Sequence, residues 1–282
     1  MARLLTAMVT PFNDKLEVNY NKAAEIANYL ADNASDGIIV SGTTGESPVL
    51  SGEEKLKLLD TVKKAVGKRV EVWSGTGSYN TAETVQLSME AEKLGADGIM
   101  LVTPYYNKPS QEGLYQHFRT VAEKISIPIM LYNVPGRTSV NLLPETIKRL
   151  VDIDNVVAIK EASGDMDQVS RLKNLIADKA NIYSGDDSFT LPILALGGKG
   201  VVSIASHIIG KDIKKMINLF YAGEVFEATK LHLKLFPIFK GLFITSNPVP
   251  LKEALNMRGM DVGNFRLPLT NASLEERAFI KE

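Results

Sequence analysis

The strongest constraint on the fold is an alternation. Eight short apolar runs recur along the chain: LLTAMV (4–9), GIIV (37–40), VEVWS (70–74), GIMLV (98–102), IPIMLY (127–132), VVAIK (156–160), NIYS (181–184) and GVVSI (200–204). Longer segments with helical spacing lie between them, such as KAAEIANYLADN (22–33), EEKLKLLDTVKKAV (53–66) and TAETVQLSMEAEKL (81–94). In the second of these, Leu56, Leu59, Val62 and Val66 recur at the steps of one helical face, with lysines between them. Strands separated by helices pair in parallel, and eight such units close into a barrel. The spacing therefore predicts an α/β chain folded as a (β/α)8 TIM barrel.

An internal echo agrees. ASDGIIV (34–40) and GADGIML (95–101) both join a helix end to a strand through Asp-Gly, at Asp36 and Asp97. They lie two units apart at roughly 30 residues per βα unit. The eighth unit ends near Gly223. Beyond it EVFEATKLHLKLFPIFKGLF (224–243) and VPLKEALNMRGM (249–260) have helical patterns. The expected organisation is a catalytic barrel over 1–223 with a C-terminal helical appendage over 224–282.

Composition narrows the class. The 282 residues are 45% hydrophobic and 23% charged with a net charge of −1, so no basic stripe points to nucleic acid. The chain has no cysteine, which excludes a thiol nucleophile and thiolate metal sites. His117, His207 and His232 stand far apart with no HExxH pair, so a histidine-built metal centre is not expected. MARLLTAMVTPF is too short for a signal peptide's apolar region, and no segment reaches the roughly 20 apolar residues of a membrane span. A cytoplasmic protein is expected.

In a parallel barrel the chemistry sits where strands end. There the chain reads SGTTGES (41–47), GTGSYN (75–80), TPYYNKP (103–109), YNVPGRT (132–138), KEASGD (160–165) and SGDDS (184–188), all rich in glycine and in hydroxyl or charged residues. Strand alternation gives Lys160 the face of Val156 and Ala158, pointing into the barrel mouth. Desolvation there would lower its pKa and free an amine nucleophile toward carbonyls. The alternative is a structural lysine paired with Glu161 or Asp186. Tyr132 points inward by the same parity, either as a proton relay or as a capping aromatic. The SGTTGES loop offers N–H groups and two hydroxyls to a carboxylate, or is merely a tight turn. Arg137 follows Pro-Gly in a turn and either grips a carboxylate or is a surface arginine. Tyr105 and Tyr106 read as packing residues of a core or subunit interface.

GTTGES, TPYYNKPSQEG, YNVPGRT, AIKEASGD and YSGDD follow one another in this order. From MVTPF to NPVPLKEALN the chain resembles the N-acetylneuraminate lyase family of pyruvate-dependent class I aldolases. The resemblance is strongest to the branch condensing pyruvate with L-aspartate 4-semialdehyde to 4-hydroxy-tetrahydrodipicolinate, a lyase step of diaminopimelate and lysine biosynthesis. It implies that Lys160 forms a Schiff base with pyruvate. Tyr132 then relays protons, linked through Thr43 to Tyr106 from a neighbouring subunit. Thr44 holds the pyruvate carboxylate, the Val202 backbone lines the pocket, and Arg137 meets the carboxylate of the semialdehyde. The family pattern implies no metal or organic cofactor and a homotetramer built as a dimer of dimers. It also implies a lysine-inhibition site, in which Ser47, Glu83 and Tyr105 are retained. Lys55 and Tyr79 stand where sensitive members commonly carry histidine and asparagine, so weak inhibition is expected.

Sister activities on the same lysine and tyrosine are N-acetylneuraminate cleavage and 2-keto-3-deoxy sugar acid cleavage. GTTGE rather than GSTGE is unlike the first, and Arg137 suits a short carboxylated aldehyde better than a polyol. A phosphate-binding isomerase barrel would want a glycine-rich anion site after strands seven and eight, whereas LGGKG (196–200) precedes strand eight. A barrel with only a binding role would lack Lys160 or Tyr132, and both are present.

Overall fold

The computed structural model describes residues 2–281. Its strands are β1 (Leu4–Ala7), β2 (Gly37–Val40), β3 (Glu71–Gly75), β4 (Gly98–Val102), β5 (Ile129–Asn133), β6 (Val156–Glu161), β7 (Asn181–Ser184) and β8 (Gly200–Ser203). They form a closed barrel in chain order. Each falls on one of the eight apolar runs, because strands buried on both faces read as nearly continuous Val, Ile and Leu.

The helices are α1 (Tyr20–Asp32), α2 (Gly52–Val66), α3 (Thr81–Lys93), α4 (Gln111–Ala122), α5 (Pro135–Thr138), α6 (Pro144–Leu150), α7 (Met166–Ile176), α8 (Thr190–Ala195), α9 (Ser206–Tyr221), α10 (Val225–Gly241), α11 (Val249–Met257) and α12 (Leu274–Lys281). Local chemistry sets their ends. Ser51 starts α2 with a capping box: its hydroxyl accepts from Glu54 N at 3.1 Å, and its own N–H donates to the Glu54 carboxylate at 2.9 Å. The buried stripe of α2 is Leu58, Leu59, Val62 and Val66, while Leu56 is only half-buried. α5 is a single helical turn where the sequence reads as a plain turn, started by Pro135 at its first position. α12 lies within the expected helical appendage, beyond the two helical patterns at 224–243 and 249–260.

The chain divides into two compact units, one running up to Val72 and resuming at Ser203, the other Trp73–Val202. In the first, Leu5, Thr6 and Ala7 of β1 pair with Gly37, Ile38 and Ile39 of β2. The Asp36 carboxylate accepts from Arg3 N at 2.8 Å and Leu4 N at 3.0 Å, and pairs with Lys214. The Asp of the first Asp-Gly step thus anchors the start of β1. His207 is wholly enclosed: Nε2 accepts from Val9 N at 3.2 Å, Nδ1 donates to Ile204 O at 2.9 Å, and burial drops its pKa to about 4. It is a neutral core histidine. In the second unit β4 through β8 pair in parallel in sequence order. Among the described residues no helix is long and apolar enough to cross a membrane.

Candidate active site

β5 and β6 lie side by side, Met130 opposite Ala158, Leu131 opposite Ile159, Tyr132 opposite Lys160 and Asn133 opposite Glu161. The ladder slips by one residue between Ile129 and Met130, upstream of the last two pairs. Alternation puts Tyr132 and Lys160 on one face of the sheet and Asn133 and Glu161 on the other. Both side chains of the first pair are buried, and the Lys160 Nζ stands 4.1 Å from the centre of the Tyr132 ring. A lysine without bulk water loses the solvation of its charged form. Burial pulls the Lys160 amine from 10.5 down to about 7, against the buried Asp187 carboxylate, which pushes it up, and with the Arg137 guanidinium, which pushes it further down.

The neighbouring loop leaves room for that amine. A Cβ on Gly185 would lie 2.7 Å from the Ala162 Cβ and 3.2 Å from the Lys160 Cε, so any side chain there would press on the lysine stem. Arg137 sits on α5 with its side chain exposed. Tyr106 is 89% exposed in a left-handed backbone conformation (φ 72°) within the loop before α4. Val202 is buried on β8.

On the outer face the Glu161 carboxylate is fully engaged. It accepts from Asn133 Nδ2 at 3.3 and 3.2 Å, from Ser163 N at 2.7 Å and from Gln168 Nε2 at 3.4 Å. Asn133 Nδ2 also donates to Asn141 Oδ1 at 2.8 Å, and Asn141 Nδ2 to Gln168 Oε1 at 2.7 Å. Burial pushes the Glu161 carboxyl up and these donors pull it back. Asp186 accepts from the Ser188 N–H and hydroxyl, each at 2.8 Å. The two carboxylates named as structural partners for Lys160 are therefore occupied elsewhere.

In the first unit the 41–47 loop closes on itself. Gly45 N and Ser47 N donate to Gly42 O at 3.1 and 3.2 Å, and Glu46 N donates to Thr43 O at 3.0 Å. Among the described residues no protein acceptor takes the N–H of Thr43 or Thr44. Thr43 is half-buried and Thr44 buried. Two adjacent amides and a hydroxyl make a concave donor set of the kind that receives a carboxylate.

The sequence pattern of the dihydrodipicolinate synthetase family matches residues 1–282. The chain belongs to that family. A relative from Desulforamulus reducens, a 4-hydroxy-tetrahydrodipicolinate synthase, is 58% identical over 280 residues, covering 99% of this chain and 95% of its own. The crystal structure of a dihydrodipicolinate synthase from Bacillus anthracis superposes with a TM-score of 0.97 at 48% identity, covering 99% of this chain and 96% of that one. A synthase from Cyanidioschyzon merolae, crystallised with lysine bound, superposes with a TM-score of 0.97 at 44% identity, covering 99% of this chain and 95% of that one. The expected barrel and the expected lyase of the diaminopimelate and lysine route are both borne out by this membership.

Some site features escaped the sequence reading. Asp187 is the anion whose charge Lys160 feels, yet the sequence reading named Asp186. The chain leaves β7 at Ser184 and enters a 3-10 turn at Asp187, so strand parity no longer orders these residues. The Glu161 network has no motif. Its only signal is a Glu adjacent to Lys160 at the end of an apolar strand.

Proposed function

We propose that Lys160 carries the condensation of pyruvate with L-aspartate 4-semialdehyde, and that the catalytic barrel is residues 1–223 with 224–282 as a helical appendage. The observation that supports this best is the buried Lys160 amine, brought to about 7 and set 4.1 Å from the Tyr132 ring. Near neutral pH a large share of that amine is unprotonated and attacks the C2 carbonyl of pyruvate. Tyr132 carries protons to and from the carbinolamine, which loses water to give the imine. Loss of a methyl proton then gives the enamine, whose C3 attacks the semialdehyde's aldehyde carbon. The product's amine closes on C2 and displaces Lys160, so the enzyme returns to its starting state. Every one of these steps uses side chains alone.

In this reading Thr44 and its loop hold the pyruvate carboxylate, Val202 lines the pocket, and Arg137 meets the carboxylate of the semialdehyde. Thr43 links Tyr132 to Tyr106 of a neighbouring subunit in a cytoplasmic homotetramer. The 89% exposure of Tyr106 favours a partner across an interface, because an aromatic ring held in water forfeits its burial energy. The test is incubation with pyruvate and cyanoborohydride. One reduced pyruvate per chain should appear on Lys160, and Lys160→Arg, which keeps charge without a nucleophilic amine, should not be labelled. An adduct on another lysine overturns the assignment. Cleavage of N-acetylneuraminate faster than synthase turnover would move the chain to the sister activity.

A further inference from the structure

The 41–47 loop is held from outside by one helix. Glu46 sits in the left-handed region (φ 54°, ψ 36°), and its buried carboxylate accepts from Lys252 Nζ at 2.9 Å and Arg266 N at 3.2 Å. Lys252 is wholly buried on α11, and its ammonium also donates to Asn264 O at 2.6 Å and Thr10 O at 3.3 Å. The rings of Phe12 and Phe265 flank it at 4.6 and 4.8 Å. Thr10 Oγ1 donates to Gly45 O at 2.7 Å. A Cβ on Gly45 would stand 3.1 Å from both Met8 O and Thr10 Oγ1, so the loop backbone lies directly on this support.

The segment leading into α11 reaches the loop as well. Asn247, two residues before α11 and buried, donates from Nδ2 to Thr44 Oγ1 at 3.0 Å. A hydroxyl has one hydrogen and two lone pairs. An amide that fills one lone pair leaves the Thr44 hydrogen to be given away, and no protein acceptor takes it among the described residues. The Thr43 and Thr44 N–H groups are open in the same way. We propose that Asn247 is a positioning residue for pyruvate, fixing the Thr44 hydroxyl as a donor toward the substrate carboxylate. This rests on the reading that the 41–47 loop receives pyruvate. Asn247 acts through Thr44, and Lys252 with Glu46 keeps the loop where that hydrogen bond forms.

The polarity of one hydrogen bond can be reversed by a near-isosteric change. Asn247→Asp turns the donor into an acceptor, which takes the Thr44 hydrogen and sets a negative charge beside a carboxylate site. Asn247→Ala removes the donor without supplying an acceptor or a charge. In steady-state kinetics Asn247→Ala should raise the KM for pyruvate roughly three- to tenfold, the loss of one net hydrogen bond. Asn247→Asp should raise it at least about tenfold more, through like-charge juxtaposition. The kcat and the KM for the semialdehyde should stay within about threefold of the parent. A residue that only braces the fold would give the opposite order, the isosteric Asp milder than Ala. That order overturns the proposal, as does an unchanged KM for pyruvate or an equal loss on both substrates. In a Thr44→Val background the two variants should become alike, apart from the charge effect. If Asn247→Asp does not fold, the cycle of Asn247→Ala with Thr44→Val decides: additive effects overturn the proposal and non-additive effects support it. A parent enzyme that forms no pyruvate adduct on Lys160 refutes the parent reading instead, and is told apart because it needs no variant.

Discussion

Pyruvate capture should follow the neutral fraction of the Lys160 amine, so pH is the perturbation that tests the burial argument most directly. Burial lowers that amine from 10.5 to about 7. Roughly a tenth of it is then neutral at about pH 6 and roughly nine tenths at about pH 8. An ordinary lysine at about pH 8 would be neutral in roughly one molecule in 300, so burial contributes on the order of a 300-fold gain in nucleophile at that pH. The assay is the initial rate of cyanoborohydride-reduced adduct on Lys160, read by mass. It should climb about tenfold per pH unit up to about pH 7 and level off above it. The neighbouring charges set the sign of two further shifts. Asp187 holds the amine up, so Asp187→Asn should move the bend to lower pH. Arg137 holds it down, so Arg137→Gln should move the bend to higher pH. A rate that keeps climbing tenfold per unit to about pH 9 would falsify the idea that burial prepares this amine.

The same shift has a stability consequence. The folded pKa lies below the unfolded one, so the cost of burying Lys160 is fully present below about pH 7 and fades as pH rises from there to the unfolded value of 10.5. Lys160→Met should therefore raise the stability of the fold by roughly 1–5 kcal/mol at about pH 6 and by much less at about pH 10, measured by denaturant unfolding; equal gains at both would contradict the linkage. Arg137→Ala should raise the KM for aspartate semialdehyde by one to two decades, from a lost charge-assisted hydrogen bond of about 1.5–3 kcal/mol, and equal effects on pyruvate would make Arg137 a shaping residue instead. Inactive Tyr106→Phe and Tyr132→Phe chains, mixed and allowed to exchange, should regain activity in hybrids where one site receives both tyrosines, and a fully active monomer would rule out the shared relay. L-lysine should inhibit weakly, since the Tyr79 ring stands edge-on to Tyr105 at 5.2 Å where an amide would be needed; half-inhibition at submillimolar lysine would contradict this.

The barrel was legible because its strands are buried on both faces and its helices on one, so two hydrophobic periods alternate in plain view. The inward direction of Tyr132 and of Lys160 followed from parity, since both lie near the ends of their strands. Parity could not carry the reading past Ser184, where the 3-10 turn brings in Asp187 rather than Asp186. Nor could it find Asn247, whose contact with Thr44 joins positions 203 residues apart and belongs to packing, not to any local pattern. The α2 stripe shows the same limit on a small scale. Spacing put Leu56 on the buried face, whereas the fold buries Leu58 and leaves Leu56 half-buried.

The network behind β5 and β6 has a consequence of its own. Tyr132 and Lys160 stand on one side of the sheet, while Asn133, Glu161, Asn141 and Gln168 form a hydrogen-bonded network on the other. Reactivity and registry are thus written on opposite sides of the same two ribbons, one residue out of phase. A change on the outer side leaves Tyr132 and Lys160 in the chain but removes side-chain bonds that back the ladder between the two strands. The four amide and carboxyl groups at the back of these strands thus bear on the geometry of a pair they never touch.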